Sequence, residues 1–321
     1  MKMDIKKIFE KFKNCTILVI GDLMIDEYII GEANRISPEA PVPIVEVENK
    51  FLRLGGSANV ISNIASLGGN VIPCGIVGQD GDGLFIKSEL KKLVKLIIVV
   101  TDCDRPTTKK TRIFADNQQM LRVDNESKDN VSNVDKIHIF GEIEKWKDEY
   151  CAIIISDYQK GLLDYEFTQK IINFSRNNGK LVFVDPKGSY EKYKGANFIT
   201  PNLKELSTAT GLDIKTDDQI YNAGMRLYSY LDIDGLIVTR GKDGISIIRN
   251  DGRKMITLPT MAKEVYDVSG CGDTVIATFA LSYLSGLSME QSAKISNLAA
   301  GVVVGKVGTA TATSDEILKI I

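Results

Sequence analysis

Short, continuously apolar runs recur along this chain, and segments of helical spacing separate them. The runs fall at residues 16–20, 71–77, 152–156, 181–184, 197–200, 235–239 and 245–249. A strand that is apolar on both faces is covered on both faces. Helical spacing falls between them, at 58–67, 85–93, 164–177, 204–210, 217–231 and 274–284. Strand alternating with helix predicts an α/β fold, a mainly parallel central sheet flanked by helices. In such sheets ligands gather at the carboxyl ends of the strands.

Two stretches break this rhythm. Residues 26–54 carry Pro38, Pro41 and Pro43 around the alternating Ile44-Val-Glu-Val-Glu48, and residues 104–124 read as strand–turn–strand with Asp116-Asn117 at the turn. Both read as insertions that build a small antiparallel β-lid over a cleft, the plainer alternative being surface loops. The whole span 1–321 is otherwise expected to be one domain.

Charge and cysteine usage narrow the partners. Lys+Arg 40 against Asp+Glu 42 leaves a formal charge of -2, without the basic footprint of a nucleic-acid protein. Apolar stretches such as 153–155 and 302–304 are far too short to span a bilayer. Residues 1–14 are helical in spacing and lack the apolar segment of a secretory signal. Cys15, Cys74, Cys103, Cys151 and Cys271 form no C-x-x-C pair, so a cytoplasmic home without disulfides is expected. The sole histidine, His138, excludes multi-histidine metal sites.

The segment Asp267-Val-Ser-Gly270-Cys271-Gly272-Asp273-Thr274 is the richest in chemistry. A tight glycine turn lets backbone N–H groups converge, and a helix starting at about Thr274 adds its positive end. Such a nest binds an anion, and Asp273 at its lip is placed to take a proton from an attacking alcohol. The plain alternative is a capping Asp after a Gly turn. A dinucleotide fingerprint wants a third glycine where Val275 stands. Gly55-Gly56-x-x-Asn59 opens another helix, and Asn59 can both donate and accept bonds to sugar hydroxyls. Asp22 and Asp26 follow the first strand and suit paired hydroxyls, or else an ordinary turn.

Taken in order, Gly21-Asp22, Gly55-Gly56-x-x-Asn59, Pro201-Asn202-x-x-Glu205, Thr239-Arg-Gly241 and Asp267-x-x-Gly-x-Gly-Asp273 resemble the ribokinase-like (pfkB-type) sugar kinases, from about residue 17 to 313. Finer strings resemble the heptose 7-phosphate kinases: Arg35-Ile-Ser-Pro-Glu-Ala-Pro-Val-Pro43, Asn117-Gln-Gln119 with Arg122, Ser156-Asp-Tyr-x-Lys160-Gly161, Asp185-Pro-Lys187-Gly188 and residues 301–309. These kinases serve ADP-heptose synthesis for lipopolysaccharide, some fused to an adenylyltransferase. With one histidine and no H-x-G-H, the kinase part alone is expected here.

The resemblance implies ATP and Mg2+ as cofactors, with Asp273 as general base on O1 of the heptose and the amides of Gly270, Cys271 and Gly272 as anion hole. Family members usually have alanine where Cys271 stands, a change a backbone donor should tolerate. The segment Asn202, Leu203, Lys204, Glu205 is implied as ATP-binding, with Glu205 holding Mg2+ through water. Thr239, Arg240 and Gly241 are implied to approach the phosphates, and Asn297 to close the adenine pocket. For the substrate, the resemblance implies Asp22, Asp26, Gly55, Gly56 and Asn59. Arg112, Lys160, Lys187 and Arg122 are candidates for the sugar's own phosphate, at least one touching it. A homodimer joined through the lids is expected, and a monovalent cation (K+) near the anion hole is left open. Rival expectations are a pfkB-type kinase for ribose, fructose 1-phosphate or a nucleoside, an idle nucleotide-binding regulator, and a Rossmann oxidoreductase.

Overall fold

The side chains of β1 (Thr16–Gly21) divide by parity. Ile17 and Val19 enter one hydrophobic core, and Leu18 and Ile20 enter another. Successive residues of a strand point to opposite faces, so an unbroken apolar run lies between two layers. Ile153 and Ile155 against Ile154 repeat the division in the neighbouring strand, as do Val182 and Val184 against Phe183 one strand further.

The computed structural model describes residues 5–116, 118–250, 252, 254–261 and 266–320. The first half runs α1 (Ile5–Phe12), β1, β2 (Leu23–Ile36), β3 (Pro43–Gly56), α2 (Ser57–Ser66), β4 (Asn70–Gly78), α3 (Gly81–Leu93), β5 (Ile98–Asp102), β6 (Thr108–Ala115) and β7 (Gln118–Asn125). Then follow α4 (Asn133–Lys145), β8 (Ala152–Ser156), α5 (Tyr165–Asn177), β9 (Leu181–Asp185), β10 (Phe198–Ile199), α6 (Leu203–Thr210) and α7 (Asp217–Leu231). The chain closes with β11 (Gly235–Thr239), β12 (Ile245–Ile248), β13 (Ile256–Leu258), α8 (Cys271–Leu284), α9 (Met289–Val303) and α10 (Ser314–Leu318).

The large sheet has the order β13-β12-β11-β10-β9-β8-β1-β4-β5. It is parallel from β11 to β5, and only β12 and β13 run antiparallel at one edge. Strand order reverses between β1 and β8, the switch point where α/β sheets open a crevice. Helices α1, α2, α8, α9 and α10 contribute to one core, and α4, α5 and α7 to the other. Helix α8 is apolar nearly all round and is clamped by Phe279, whose ring meets Phe198 at 5.4 Å and Phe183 at 6.0 Å. That clamp fixes where the amino end of α8 arrives.

A second sheet, ordered β3-β2-β6-β7, grows out of the carboxyl end of β1, since only Asp22 separates β1 from β2. Its two hairpins are antiparallel, and a parallel β2–β6 ladder joins them. At the tip of the β6–β7 hairpin Asp116 takes a left-handed conformation (φ 51°), while Asn117, expected at the same turn, lies outside the described residues.

Two expectations need correction. Helix α8 begins at Cys271 and not at about Thr274, because Gly270 (φ 75°) turns the chain into the helix at once. The run 197–200 contributes just two ladder residues. Helix α9 carries no clear period in the sequence, because Ala293, Ile295, Ser296, Leu298, Ala299 and Ala300 bury several of its faces, which erases the polar–apolar alternation.

Candidate active site

The early start of α8 places Asp273 inside the first helical turn, not at the lip of a loop. The first-turn N–H groups have no acceptor within the helix, so that end is electropositive. One of them is already engaged: the Cys271 N–H donates to the Val268 carbonyl at 3.3 Å. Gly270 matters for a second reason. A Cβ there would strike Asn59 Nδ2, and Asn59 has to pass that point to reach Asp273.

Asp273 is 2% exposed, and both its oxygens are held. Asn59 Nδ2 donates to Oδ2 at 2.8 Å, and the Tyr158 hydroxyl donates to Oδ1 at 2.6 Å. Burial pushes the Asp273 carboxyl up to about 6, while these two donors pull it back. Such a group can change its protonation near neutrality, as a general base must. Tyr158 is in turn positioned by Asp22, whose Oδ2 accepts from the N–H groups of Tyr158 (2.7 Å) and Lys160 (3.2 Å). Burial, and then Asp157, raise Asp22 to about 6. Asp22 therefore shapes the loop after β8, with one oxygen committed to its amides.

A cleft of about 640 Å³ opens from Asp273 across the carboxyl ends of β9, β10 and β11. Of the sequence candidates, Lys187, Asn202, Glu205, Thr239, Gly241, Gly270, Cys271, Gly272, Asp273 and Asn297 line it. Ile245, Val275, Ala300 and Val304 add apolar lining to these polar groups. An apolar slot with a few convergent polar groups suits a nucleotide, and pockets of about 300–1,000 Å³ are usual for small ligands. Asn202 and Glu205 form a capping box on α6: Glu205 N–H donates to Asn202 Oδ1 (2.9 Å), and Asn202 N–H to Glu205 Oε2 (2.8 Å). The other Glu205 oxygen pairs with Lys187. Burial works against the Lys187 ammonium, but Asp185 and Glu205 outweigh it and raise its pKa. Asp185 is itself buried, and burial followed by the charge of Asp273 holds its carboxyl well above the usual range.

The profile described as pfkB family carbohydrate kinase matches residues 15–316. The chain belongs to the pfkB family of carbohydrate kinases. It is 46% identical over 311 residues to the bifunctional protein HldE of Helicobacter hepaticus, covering 96% of this chain and 64% of that protein. The HldE of Geobacter sulfurreducens is 39% identical over 319 residues, with 99% and 65% covered. The kinase chain thus spans slightly under two thirds of the length of these relatives. The fold matches an Arabidopsis thaliana ribokinase complexed with ribose and ATP (TM-score 0.75, 20% identity, 95% of this chain and 98% of that one). Phosphofructokinase-2 of Escherichia coli in complex with potassium matches at TM-score 0.78 and 17% identity, over 95% and 97% of the two chains.

Elsewhere the kinase keeps its candidates apart from the cleft. Leu203 packs into the hydrophobic core, and Lys204 is exposed on α6. The Arg240 guanidinium bonds Asp217 (2.8 Å) and Ser246 (3.1 Å), a tie between α7 and β12. Within the second sheet, Asp26 of β2 pairs with Arg112 of β6, Gly55 of β3 lies against the Asp26 carboxylate, and Gly56 (φ 56°) turns the chain into α2. Lys160 pairs with Glu126 at 2.7 Å, and Arg122 with Asp124 at 2.9 Å. A second hollow of about 450 Å³ lies beyond Asn59, but its Lys92 and Lys306 are each paired with a glutamate.

Tyr158, Asp185 and Lys242 also line the cleft and were not among the sequence candidates. Two of them sit in strings already singled out, Ser156-Asp-Tyr and Asp185-Pro-Lys, Asp185 as the last residue of β9 and Tyr158 two residues past the end of β8. That position is the signal that finds them. Among the described residues no helix is long and apolar enough to cross a membrane.

Proposed function

We propose that this chain transfers the γ-phosphoryl group of ATP to O1 of D-glycero-β-D-manno-heptose 7-phosphate, giving the 1,7-bisphosphate and ADP in the supply of ADP-heptose for lipopolysaccharide. The carrying observation is Asp273, buried, proton-avid and bridged by Asn59 and Tyr158 where the cleft meets the amino end of α8. The HldE relatives and the heptose-kinase strings support the choice of sugar.

Asp273 accepts the sugar hydroxyl proton as that oxygen bonds to the γ-phosphorus and the bond to the β-phosphate oxygen breaks, releasing ADP. Each carboxylate oxygen accepts one bond in this state, leaving a lone pair for the hydroxyl. The open end of α8 stabilises negative charge on the migrating group. Lys187 faces the cleft, and we assign it to the nucleotide phosphates, with Glu205 as its partner before ATP arrives.

Mg2+ fits the donor chemistry here. Asp185 and Glu205 both line the cleft as hard oxygen ligands, and burial, followed by the charge of Asp273, makes an ionised Asp185 costly unless a cation joins it. Mg2+ held there would neutralise charge on the phosphates. The second sheet acts as the lid of a single kinase unit, closing over the sugar to exclude water. We place the reaction in the cytoplasm, beside ATP.

An ADP-release assay over a sugar panel tests the reading. Turnover should be highest with heptose 7-phosphate; turnover confined to ribose, fructose 1-phosphate or a nucleoside would replace that sugar, and ATP binding with no turnover would make the protein a regulator.

A further inference from the structure

We propose that Lys110 is the residue that binds the substrate's own phosphate and so selects phosphorylated over unphosphorylated sugars. The proposal rests on the sugar-phosphate kinase reading above and deepens it.

Every basic residue that the sequence offers for this task is already matched to a carboxylate. Arg112 is paired with Asp26, Lys160 with Glu126, Lys187 with Glu205 and Arg122 with Asp124. Lys110, on β6 opposite Asp26 in the β2–β6 register, is different. Its ammonium lies 5.6 Å from the centre of the Tyr158 ring and makes no hydrogen bond or ion pair among the described residues. It is half-buried, and burial together with Lys160 lowers its pKa. A desolvated cation with no acceptor is costly, and an incoming anion relieves that cost.

Its position also suits the chemistry. Tyr158 gives its hydroxyl to Asp273 and its ring face to Lys110. A sugar lying along that phenol would present its reacting hydroxyl to the base and its remote phosphate to the ammonium. Lys110 belongs to the second sheet and Asp273 to the large-sheet body, so a phosphorylated sugar would join the two parts. The nearby anions Asp26, Glu126 and Asp124, the last opposite Lys110 in the β6–β7 register, are held by Arg112, Lys160 and Arg122, which keeps them from capturing Lys110.

Lys110→Met and Lys110→Arg are compared with the unsubstituted protein, using ATP with heptose 7-phosphate and with unphosphorylated heptose. Lys110→Met should raise KM for the sugar phosphate about 10- to 100-fold, the loss expected for one charge-assisted hydrogen bond. The KM for ATP should hold, preference for the phosphorylated sugar should collapse, and Lys110→Arg should recover most of the loss. An unchanged sugar-phosphate KM, a shift confined to ATP, or a fall in kcat alone (the mark of a displaced Tyr158) overturns the assignment. If the unsubstituted protein phosphorylates only unphosphorylated sugars, the parent reading fails and takes this one with it.

Discussion

The role proposed for Asp273 requires a carboxyl buried enough to attract a proton and tethered enough to stay aimed, and its neighbours supply both. Asp273→Asn keeps the shape and removes the base, so turnover should fall on the order of 10²-fold or more while ATP affinity holds; isothermal titration beside steady-state kinetics checks both, and a near-normal rate would remove Asp273 from its role. The same carboxylate links pH to rate and to stability in opposite directions. Its value rises from 3.8 to about 6 on folding, so the folded chain binds this proton more tightly. Its contribution to stability is therefore present at low pH and is lost as pH rises through that window, and Asp22 acts with the same sign. The rate needs the ionised form, so kcat/KM should climb with pH through about 6. Urea unfolding and a pH–rate profile measured on one preparation should show the two trends crossing; a rate independent of pH across the window would contradict the role of Asp273.

At the scale of elements, the motif Asn202-x-x-Glu205 starts a helix and lines the cleft with the same residues. The capping box holds α6, and the same glutamate reaches Lys187 in the cleft. Asn202→Ala removes the side-chain cap and should cost about 1 kcal/mol of stability. Because the Glu205 N–H loses its acceptor and the box opens, the KM for ATP should rise with it. Thermal unfolding and ATP kinetics read the two effects separately. A loss of stability with ATP binding untouched would make the motif purely architectural.

At the scale of the molecule, the second sheet ends on β3 and β7, and β7 is the more exposed of these two edges. β7 is exposed along its whole length, with Met120, Leu121 and Val123 each more than two-fifths open to solvent. An uncovered edge strand with apolar side chains invites pairing. We expect two copies to associate through these strands, and Leu121→Lys with Val123→Lys to shift the mass measured by light scattering toward the monomer. A monomer at all concentrations of the unsubstituted protein would leave this edge without a partner.

Sequence alone carried the layered α/β plan, because strands covered on both sides need unbroken apolar runs and those runs survive in one dimension. It also carried the Gly-x-Gly-Asp corner and the Asn-x-x-Glu box, whose chemistry lies within a few neighbouring residues. Three-dimensional packing decided the rest. Tyr158 and Asn59 reach Asp273 across 115 and 214 positions of chain, a relation no local pattern encodes. Which cation is left unmatched was equally invisible, since Lys110, Arg112 and Lys160 share the neighbouring carboxylates Asp26 and Glu126 and folding decides which of them is paired. Charge pairing is a property of distances through space, and those exist only once the chain has folded.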